Sequence, residues 1–288
     1  MNTTIAIVGA GGKMGRRALD RLGATPAYRV IACEKDAAAA RRLGEDGYTV
    51  SGLAAAVSQS DFVVLAVPDE AIGAISHSVI PLMKPASTLI ALDAAAAYID
   101  EIPSRPDITQ MITHPCHPAL FGHQDTEAAR DDHFGGTATQ DMIVALLSGS
   151  EEVFERGSEI CRAMFAPVRR THRVTVEQFA FLEPAMSEIV VATAATLMRA
   201  SLDAAIEHGV PREAAKAFMA GHSQIAMAIV FGHEQSPFSD ACQTAIQWGT
   251  KEIIQPDWRR VFERETLTEA IRVMLRPPAQ SEEVVHAR

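Results

Sequence analysis

The sequence contains few cysteines, few aromatic residues and no excess of positive charge. Its 288 residues include four cysteines, aromatic residues make up 6%, and 36 acidic residues outnumber 26 basic ones, which gives a formal net charge of -10. The cysteines show no CxxC spacing, so we expect reduced thiols in a cytoplasmic protein. The acidic balance argues against a nucleic-acid partner and against an anionic membrane surface.

The sequence also lacks a recognisable signal peptide and an uninterrupted hydrophobic run that would span a membrane. A strand-like run begins at Thr4, where a signal peptide would still carry its charged region. The most apolar long stretch, residues 185–206, contains Glu188, Arg199 and Asp203. We therefore expect a buried helix there and no membrane partner.

Apolar runs and helical patterns alternate through the first part of the chain. We predict strands at residues 4–10, 28–34, 49–52, 61–68, 87–93, 108–115 and 142–149. This alternation predicts the α/β class, with a doubly wound, mostly parallel sheet. After residue 173 every strong pattern is helical. We therefore expect an α/β domain over residues 1–173 and an all-helical domain over residues 174–288.

A glycine-rich segment separates the first predicted strand from the first predicted helix. Its residues are Gly9, Ala10, Gly11, Gly12, Lys13, Met14 and Gly15. The GxxGxxG spacing is a variant of the dinucleotide-binding pattern, in which glycines permit a tight turn and a close approach of the backbone to a pyrophosphate. The exposed N–H groups that begin the helix would then hold the pyrophosphate. The first domain is thus predicted to be a dinucleotide-binding Rossmann domain.

Further cofactor contacts are predicted at the ends of the later strands. Glu34 ends the second strand, where a carboxylate accepts hydrogen bonds from the adenosine ribose and repels a 2′-phosphate, so NAD is favoured over NADP. The loop containing Val67, Pro68 and Asp69 follows a central strand and should contact the ribose. Asp93 ends the next strand and should lie near the nicotinamide half. For Asp69 and Asp93, simple helix capping is an equally open alternative.

Two histidines in a proline-bounded segment are the first candidate catalytic residues. His114 and His117 lie in the run THPCHP, at the end of a predicted strand and therefore at the ligand-binding edge of the sheet. A histidine near pH 7 can accept the hydroxyl proton while a hydride leaves the same carbon. Alternatively, the two rings bind a metal or only hydrogen-bond within a turn.

Two glutamates in an apolar helical segment are the second group of candidates. Glu183 and Glu188 flank Pro184 in the run LEPAMSE, and Pro184 should kink the helix because it cannot donate to the carbonyl four residues earlier. Carboxylates among apolar neighbours need partners. We predict catalytic roles for both. We also predict a divalent-metal set of His117, Glu188 and His222, with solvent exposure of the carboxylates as the alternative.

The motifs together resemble a known group of enzymes. VGAGGKMG, the AVPD loop and the His-Pro element resemble the 6-phosphogluconate dehydrogenase-like superfamily. THPCHPALF, RTHRVTVEQ, LEPAMSE and the GH pair at 221–222 are similar to its small family with a phosphogluconate-dehydrogenase-type C-terminal domain, which includes the D-apionate oxidoisomerases. The resemblance covers nearly the whole chain. Prephenate dehydrogenases carry a similar THP element, and the catalytic role of its histidine would carry over to His114.

The resemblance implies an NAD-dependent oxidoreductase of a small polar hydroxy acid, with isomerisation coupled to oxidation. The Lys-x-x-x-Asn pattern of the β-hydroxyacid dehydrogenases is missing, since the corresponding region contains Glu183 and no lysine. A histidine or a metal must therefore take over the acid–base role. Two alternatives remain open. One is an enzyme acting on a cyclic acid such as prephenate, with Arg169, Arg170 or Arg173 at the substrate carboxylate, and the other is a non-catalytic NAD-binding regulator.

The apolar circumference of the first C-terminal helix predicts a homodimer. Residues 189–198 are apolar around most of the helix, and a domain of this size has too few other elements to cover that surface.

Overall fold

The structure is a computed structural model that describes residues 3–277. The chain divides into two compact units. Residues 3–183 with Ile271–Pro277 form the first unit, and Pro184–Ala270 form the second. The domain division expected after residue 173 remains a prediction.

A seven-stranded sheet forms the centre of the first unit. The strands are β1 (Thr3–Val8), β2 (Tyr28–Cys33), β3 (Phe62–Leu65), β4 (Thr88–Ala91), β5 (Thr109–Pro115), β6 (Gln140–Ser148) and β7 (Val168–Arg173). Their order is β2-β1-β3-β4-β5-β6-β7. All neighbouring pairs are parallel except β5 and β6, which pair antiparallel. The predicted fold class, a mostly parallel doubly wound sheet, is confirmed.

The central strands are apolar along their length because both faces of the sheet are covered. Ile5, Ile7, Val64 and Ile90 are fully buried. A strand covered on both faces needs apolar residues at successive positions rather than at alternate ones. The continuous apolar runs therefore mark the strands that position the site.

The strand predicted at residues 49–52 is wrong. That segment makes only an isolated parallel bridge, between Ala32 and Val50. Gly52 is already the N-cap of the helix that begins at Leu53, so too few residues are left to pair along β2.

Eight helices lie in the first unit. They are α1 (Lys13–Gly23), α2 (Ala37–Glu45), α3 (Leu53–Gln59), α4 (Asp69–Val79), α5 (Ala95–Tyr98), α6 (Glu127–Arg130), α7 (Glu151–Met164) and α8 (Val176–Ala180), with a 3-10 turn at Ile80–Leu82. Thr175 and Gln178 begin α8 with a reciprocal capping box, in which each side chain accepts a hydrogen bond from the other residue's backbone N–H. This cap fixes the start of the helix that carries Glu183.

The remaining helical elements follow α8 along the chain. They are a π-helical stretch (Phe181–Ala192), α9 (Thr193–Glu207), α10 (Arg212–Val230), α11 (Asp240–Ile253), a 3-10 turn (Trp258–Phe262) and α12 (Arg264–Leu275). Pro184 lies inside the π-helical stretch. Since proline removes one i→i−4 hydrogen bond, the helix widens there to the i→i−5 pattern. The irregularity predicted at Pro184 is therefore a π-helix.

The expected burial of residues 185–206 is wrong for the single chain. No residue of α9 is buried in the chain as described, and Val191 and Leu197 are more than half exposed. The continuous helical run Val176–Glu207 contains an 18-residue window with a mean hydropathy of 1.5. By length and composition alone, this helix could cross a membrane. Among the helices that follow, α9 packs against α10.

Candidate active site

The candidate site lies at the carboxyl ends of the parallel strands in the first unit. β1 lies between β2 and β3 in the sheet. The chain therefore moves to one side of β1 to form β2 and then crosses to the other side of β1 to form β3. Such a switch point opens a crevice at the carboxyl edge, where ligands of α/β sheets bind. The glycine loop follows β1, Asp93 follows β4 and His114 lies near the end of β5.

Two glycines give the loop its shape. Gly9 has a φ of +81°, and a Cβ added there would lie 2.4 Å from the carbonyl oxygen of Ala66. A Cβ added at Gly15 would lie 2.2 Å from the carbonyl oxygen of Gly9. Both positions therefore require glycine for the turn itself and for the close packing of α1 on β1.

Gly12 has a different role. The nearest atom to a Cβ added there would be the Gly9 carbonyl oxygen at 3.5 Å, an ordinary van der Waals distance, and its φ of −73° suits any residue. The protein itself thus leaves open space in front of Gly12, at the N-terminus of α1. The loop has the space and the conformation that a dinucleotide pyrophosphate requires.

Glu34 is bound to the glycine loop. Its Oε2 accepts a hydrogen bond of 2.9 Å from the Gly11 N–H, and its Oε1 accepts one of 2.9 Å from the Asp36 N–H. The carboxylate therefore stands at the end of β2 beside the loop, where the sequence predicts the adenosine ribose. Each carboxylate oxygen keeps a second lone pair for a ribose hydroxyl. The ribose contact itself remains a prediction.

Acidic groups cluster beyond β3 and β4. Asp93 is only 3% exposed, and its Oδ1 accepts a hydrogen bond of 2.6 Å from the Ala95 N–H. Burial, followed by repulsion from Glu183, raises the pKa of Asp93 to about 7. Desolvation by the surrounding protein and the charge of Asp93 raise the pKa of Asp69 to about 6.

Asp93 and Glu183 form a hydrogen-bonded carboxyl pair. Two carboxylates in contact cannot both ionise at low cost, so one proton is shared between them near neutral pH. The raised pKa of Asp93 indicates that the pair as a whole holds this proton up to about neutral pH. Glu183 thereby stays able to accept a second hydrogen bond.

His114 lies on the other side of Glu183. Its Nδ1 lies 2.8 Å from the Pro115 carbonyl oxygen, and its Nε2 lies 2.9 Å from Glu183 Oε1. A carbonyl oxygen only accepts, so Nδ1 carries a proton in either charge state of the ring. Nε2 is then the atom that gains or loses a proton, and its exchange partner is the Glu183 carboxylate. Asp93, Glu183 and His114 thus form a continuous path for a proton.

His117 is the second histidine at this edge. Its Nδ1 lies 2.8 Å from the Phe134 carbonyl oxygen, which assigns the proton to Nδ1 and the lone pair of the neutral ring to Nε2. Burial lowers the pKa of His117, and His114 and Arg17 lower it further by repulsion. The two histidine rings meet edge to face, with centroids 5.7 Å apart. His117 is therefore a neutral imidazole whose acceptor nitrogen can take a substrate hydroxyl or a cation.

The other predicted residues belong to the second unit. Glu188 is exposed in the π-helical stretch, and His222 lies on α10 with Nδ1 2.9 Å from the Phe218 carbonyl oxygen and its ring stacked on that phenyl group. Within residues 3–277, no group of three histidine, cysteine or carboxylate side chains has a metal-binding arrangement. The set His117, Glu188 and His222 stays a prediction, and we derive no chemical step through a metal.

Two of the three arginines considered for a cyclic-acid substrate have acidic partners. Arg169 Nε lies 3.0 Å from Asp141 Oδ1. Arg173 donates to both carboxylate oxygens of Glu151, at 2.7 and 2.8 Å. A substrate carboxylate would have to displace these pairs, so the geometry does not favour that alternative.

Sequence reasoning missed the groups that orient the catalytic side chains. The backbone carbonyls of Pro115 and Phe134 fix the tautomers of His114 and His117, and Phe134 lies in a glycine-rich loop with no periodic pattern. The left-handed backbone at His117, with a φ of +58°, turns its ring toward that loop. A carbonyl leaves no trace in residue identity, so no sequence pattern could have identified these partners.

Comparison with known families agrees with this geometry. Residues 1–101 match the family described as D-isomer specific 2-hydroxyacid dehydrogenase, NAD binding domain. Residues 122–275 match the family described as Phosphogluconate dehydrogenase (decarboxylating) C-term. The resemblance predicted from the motifs is confirmed over both halves of the chain.

Similar individual proteins cover nearly the full chain. A D-apionate oxidoisomerase of Cupriavidus necator is 40% identical over 274 residues, covering 94% of this chain and 99% of its own length. One from Pectobacterium atrosepticum is 41% identical and covers 95% and 96%, respectively. A solved structure from Cupriavidus necator, described as a semialdehyde dehydrogenase NAD-binding protein in complex with calcium and NAD, has a TM-score of 0.90 at 40% identity and covers 94% and 99%.

Proposed function

The chain belongs to the phosphogluconate-dehydrogenase-type family that contains the D-apionate oxidoisomerases, and it is an NAD-dependent oxidoreductase. On that premise, we propose that its substrate is D-apionate or a closely similar sugar acid. The relatives with this name come from several bacteria and match over nearly their whole length. The observation that carries the proposal is the path from Asp93 through Glu183 to His114, which supplies a proton acceptor beside the expected nicotinamide position.

The reaction needs a group that removes a proton while a carbon atom is oxidised. NAD supplies the hydride acceptor when it is bound. The substrate hydroxyl loses its proton to the hydrogen-bonded pair of His114 and Glu183, and the C–H bond of the same carbon loses its hydride, so that a carbonyl forms. Because Glu183 holds Nε2 and Pro115 holds Nδ1, the ring is oriented before the substrate arrives.

Three residues have distinct roles in this proposal. Glu183 stabilises the His114 imidazolium that forms as the proton is taken up, and Asp93 donates to Glu183 and keeps its charge directed at the histidine. His117 presents its Nε2 lone pair to a second substrate hydroxyl. A sugar acid offers hydroxyls on neighbouring carbons, which suits two acceptors with ring centroids 5.7 Å apart.

We propose that His117, Glu188 and His222 would be the residues that hold a divalent cation, if the enzyme binds one. A neutral histidine ring such as His117 is a ligand type of Zn²⁺ sites, and a carboxylate such as Glu188 is a ligand type of Zn²⁺, Ca²⁺ and Mg²⁺ sites. A related structure is described as a complex with calcium and NAD, which supports testing the same ion. The chemistry that such an ion would supply there is polarisation of substrate oxygens.

We further propose a homodimer, in the cytoplasm, formed through the helices of the second unit. Four large apolar side chains of these helices are each at least 65% exposed: Phe218 and Val230 on α10, Phe231 at its C-terminal end, and Trp248 on α11. Apolar surface of this extent is normally covered by a partner. Sedimentation at micromolar concentration should give twice the chain mass. A monomer, or a species that enters lipid vesicles, would contradict the dimer.

The substrate assignment is tested by following NADH formation with D-apionate and a panel of other sugar acids, each with and without a chelator. D-Apionate should give the highest kcat/KM, with a product whose carbon skeleton has changed. A rate that survives exhaustive chelation would remove the metal from the proposal and leave the oxidation intact. No turnover with any sugar acid, but turnover with a cyclic hydroxy acid, would replace the proposed substrate class.

A further inference from the structure

A groove of about 640 Å³ runs along one side of α1, next to the proposed active site, from which Phe134 separates it. Lys13, Arg17 and Arg21 line it from the helix, and Gly136 and Ala166 line the opposite wall. The three basic residues recur every four positions, so they form a single stripe along the helix surface. The stripe places three positive charges side by side in a chain whose formal net charge is -10.

The other charges of the groove are already balanced. Arg16 also lines it, but this side chain forms ion pairs with Asp20 at 3.1 Å and with Asp46 at 2.5 Å. The acidic residue of the lining, Asp20, is therefore engaged by Arg16 and also accepts a hydrogen bond from the Tyr48 hydroxyl. What remains is the positive stripe formed by Lys13, Arg17 and Arg21.

None of the three stripe residues has an acidic ion-pair partner within the part of the chain that the structure describes. Lys13 Nζ lies 3.4 Å from the centroid of the Phe134 ring, and Arg21 donates to the Gly136 carbonyl. Such contacts orient a cation without neutralising it. The charge of the stripe is therefore available to a ligand.

Arg17 is the most informative member of the stripe. It is only 8% exposed, lies between the rings of Phe134 and Phe165, and donates from Nη2 to the Phe165 carbonyl oxygen at 3.0 Å. Its Nε and Nη1 are buried, and no atom of residues 3–277 accepts a hydrogen bond from them. Among the described residues, Asp132 raises the pKa of Arg17 through its charge but forms no ion pair with it, so the cost of burying the guanidinium is only partly compensated. Burial and the charge of Arg21 both lower the pKa of Arg17.

We propose that this groove binds a small multivalent oxyanion of phosphate or polycarboxylate chemistry. Its volume is within the range of ligand sites and exceeds what a single monovalent ion fills. Guanidinium groups bind phosphate and carboxylate oxygens in pairs of parallel hydrogen bonds, which suits the planar groups of Arg17 and Arg21. Thr25 adds a hydroxyl at the far end.

The groove is distinct from the dinucleotide pyrophosphate position. The pyrophosphate is expected at the N-terminus of α1, whereas Arg21 and Thr25 lie at the other end of the helix. At a rise of 1.5 Å per residue, Thr25 is about 18 Å along the helix direction from Lys13. Only Lys13 is common to both positions, so the two ligands can be bound together.

Titration calorimetry on the full chain saturated with NAD tests this site. The probes are inorganic phosphate, pyrophosphate and citrate, each titrated into the natural protein and into Arg21→Gln, Arg17→Gln and the control Arg29→Gln. Arg29 is an exposed arginine on β2, outside the groove. We expect pyrophosphate or citrate to bind, and binding to be about tenfold or more weaker in Arg21→Gln and Arg17→Gln but unchanged in Arg29→Gln.

The two variants and the three probes keep the result decisive. Arg21 is exposed, so Arg21→Gln reports on the site even where Arg17→Gln fails to fold. Binding of pyrophosphate without citrate assigns phosphate chemistry, and the reverse assigns polycarboxylate chemistry. Equal affinity in Arg21→Gln and the natural protein would overturn the proposal. Binding to the NAD-free protein that disappears at saturating NAD would also overturn the proposal, because it would assign the anion to the dinucleotide site. Absence of binding by all three probes would overturn it as well.

Discussion

The Nε2 atom of His114 lies 2.9 Å from Oε1 of Glu183, and Glu183 is in turn hydrogen-bonded to the buried carboxyl group of Asp93. His114 is on β5, Asp93 follows β4, and Glu183 lies in the π-helical stretch. Three separate elements therefore meet at one proton-transfer path, with the Pro115 carbonyl fixing the other nitrogen of the ring.

Replacing Glu183 by glutamine should slow catalysis without weakening cofactor binding. With Nδ1 held by Pro115, the side-chain amide of Glu183→Gln would donate to His114 Nε2 and, unlike the carboxyl group, could neither take up nor return a proton. We expect kcat to fall about tenfold or more, with the NAD dissociation constant unchanged. Steady-state kinetics and NAD titration measure the two effects. Glu152→Gln, at an exposed position on α7, is the matched control, and an equal loss in both variants would contradict the role of Glu183.

Gly12 and Gly15 should respond differently to substitution. Gly12→Val places its side chain in the open space in front of α1, so the protein should fold normally and lose NAD binding. Gly15→Ala forces a Cβ to within 2.2 Å of the Gly9 carbonyl oxygen, so it should destabilise the fold by roughly 1–3 kcal/mol. Thermal unfolding and NAD titration separate the two cases. Normal NAD affinity in a folded Gly12→Val protein would show that the pyrophosphate lies elsewhere.

NAD should bind more tightly than NADP because Glu34 stands beside the glycine loop. Its carboxylate is held by the N–H groups of Gly11 and Asp36, and a 2′-phosphate placed nearby would meet this negative charge. Glu34→Gln keeps the shape and removes the charge, so the preference for NAD over NADP should narrow. Parallel titrations of both cofactors provide the measurement. A preference for NADP in the natural protein would exclude the proposed ribose contact.

Asp93 should make the protein less stable as the pH rises through the neutral range. Its pKa is raised from an ordinary value of 3.8 to about 7 in the fold, so the folded state binds the proton more tightly than the unfolded chain does. Stability is therefore lost progressively between about pH 4 and pH 7 and is constant above that window. The full shift of about three pKa units corresponds to about 4 kcal/mol.

Asp93→Asn should remove this pH dependence, because the amide mimics the protonated carboxyl group at every pH. Urea unfolding at pH 5 and pH 8 compares the two proteins, and the natural protein should lose more stability than the variant over this interval. Identical changes in both proteins would mean that Asp93 is ionised throughout and shares no proton with Glu183.

The sequence predicted the sheet and most of the strand-end residues because these follow from local patterns. Continuous apolar runs, without the alternation of apolar and polar residues, mark β1, β3 and β4. The glycine spacing marks the loop after β1. His114 and Glu183 stood out because two histidines that each precede a proline, and a glutamate beside Pro184, are chemically unusual in such segments.

The contacts that turn these residues into a site depend on distant parts of the chain. Asp93 and Glu183 are 90 residues apart in sequence, and only the fold reveals that they share a proton. The basic stripe on α1 appears unremarkable in sequence, because an exposed helix surface commonly carries lysine and arginine. The burial of Arg17 between two phenyl rings distinguishes it, and that burial is a tertiary property.

The most direct test of the account is single-turnover NADH formation by the His114→Ala protein. Natural and variant proteins, each saturated with NAD, are mixed rapidly with D-apionate, and the NAD dissociation constant is measured separately for both. Loss of the base should slow NADH formation by about 10²–10⁴-fold while NAD affinity stays nearly the same, since the base acts on the substrate hydroxyl and not on the adenosine half of the cofactor. NADH formation by His114→Ala at the natural rate would contradict the central claim that this histidine accepts the substrate proton.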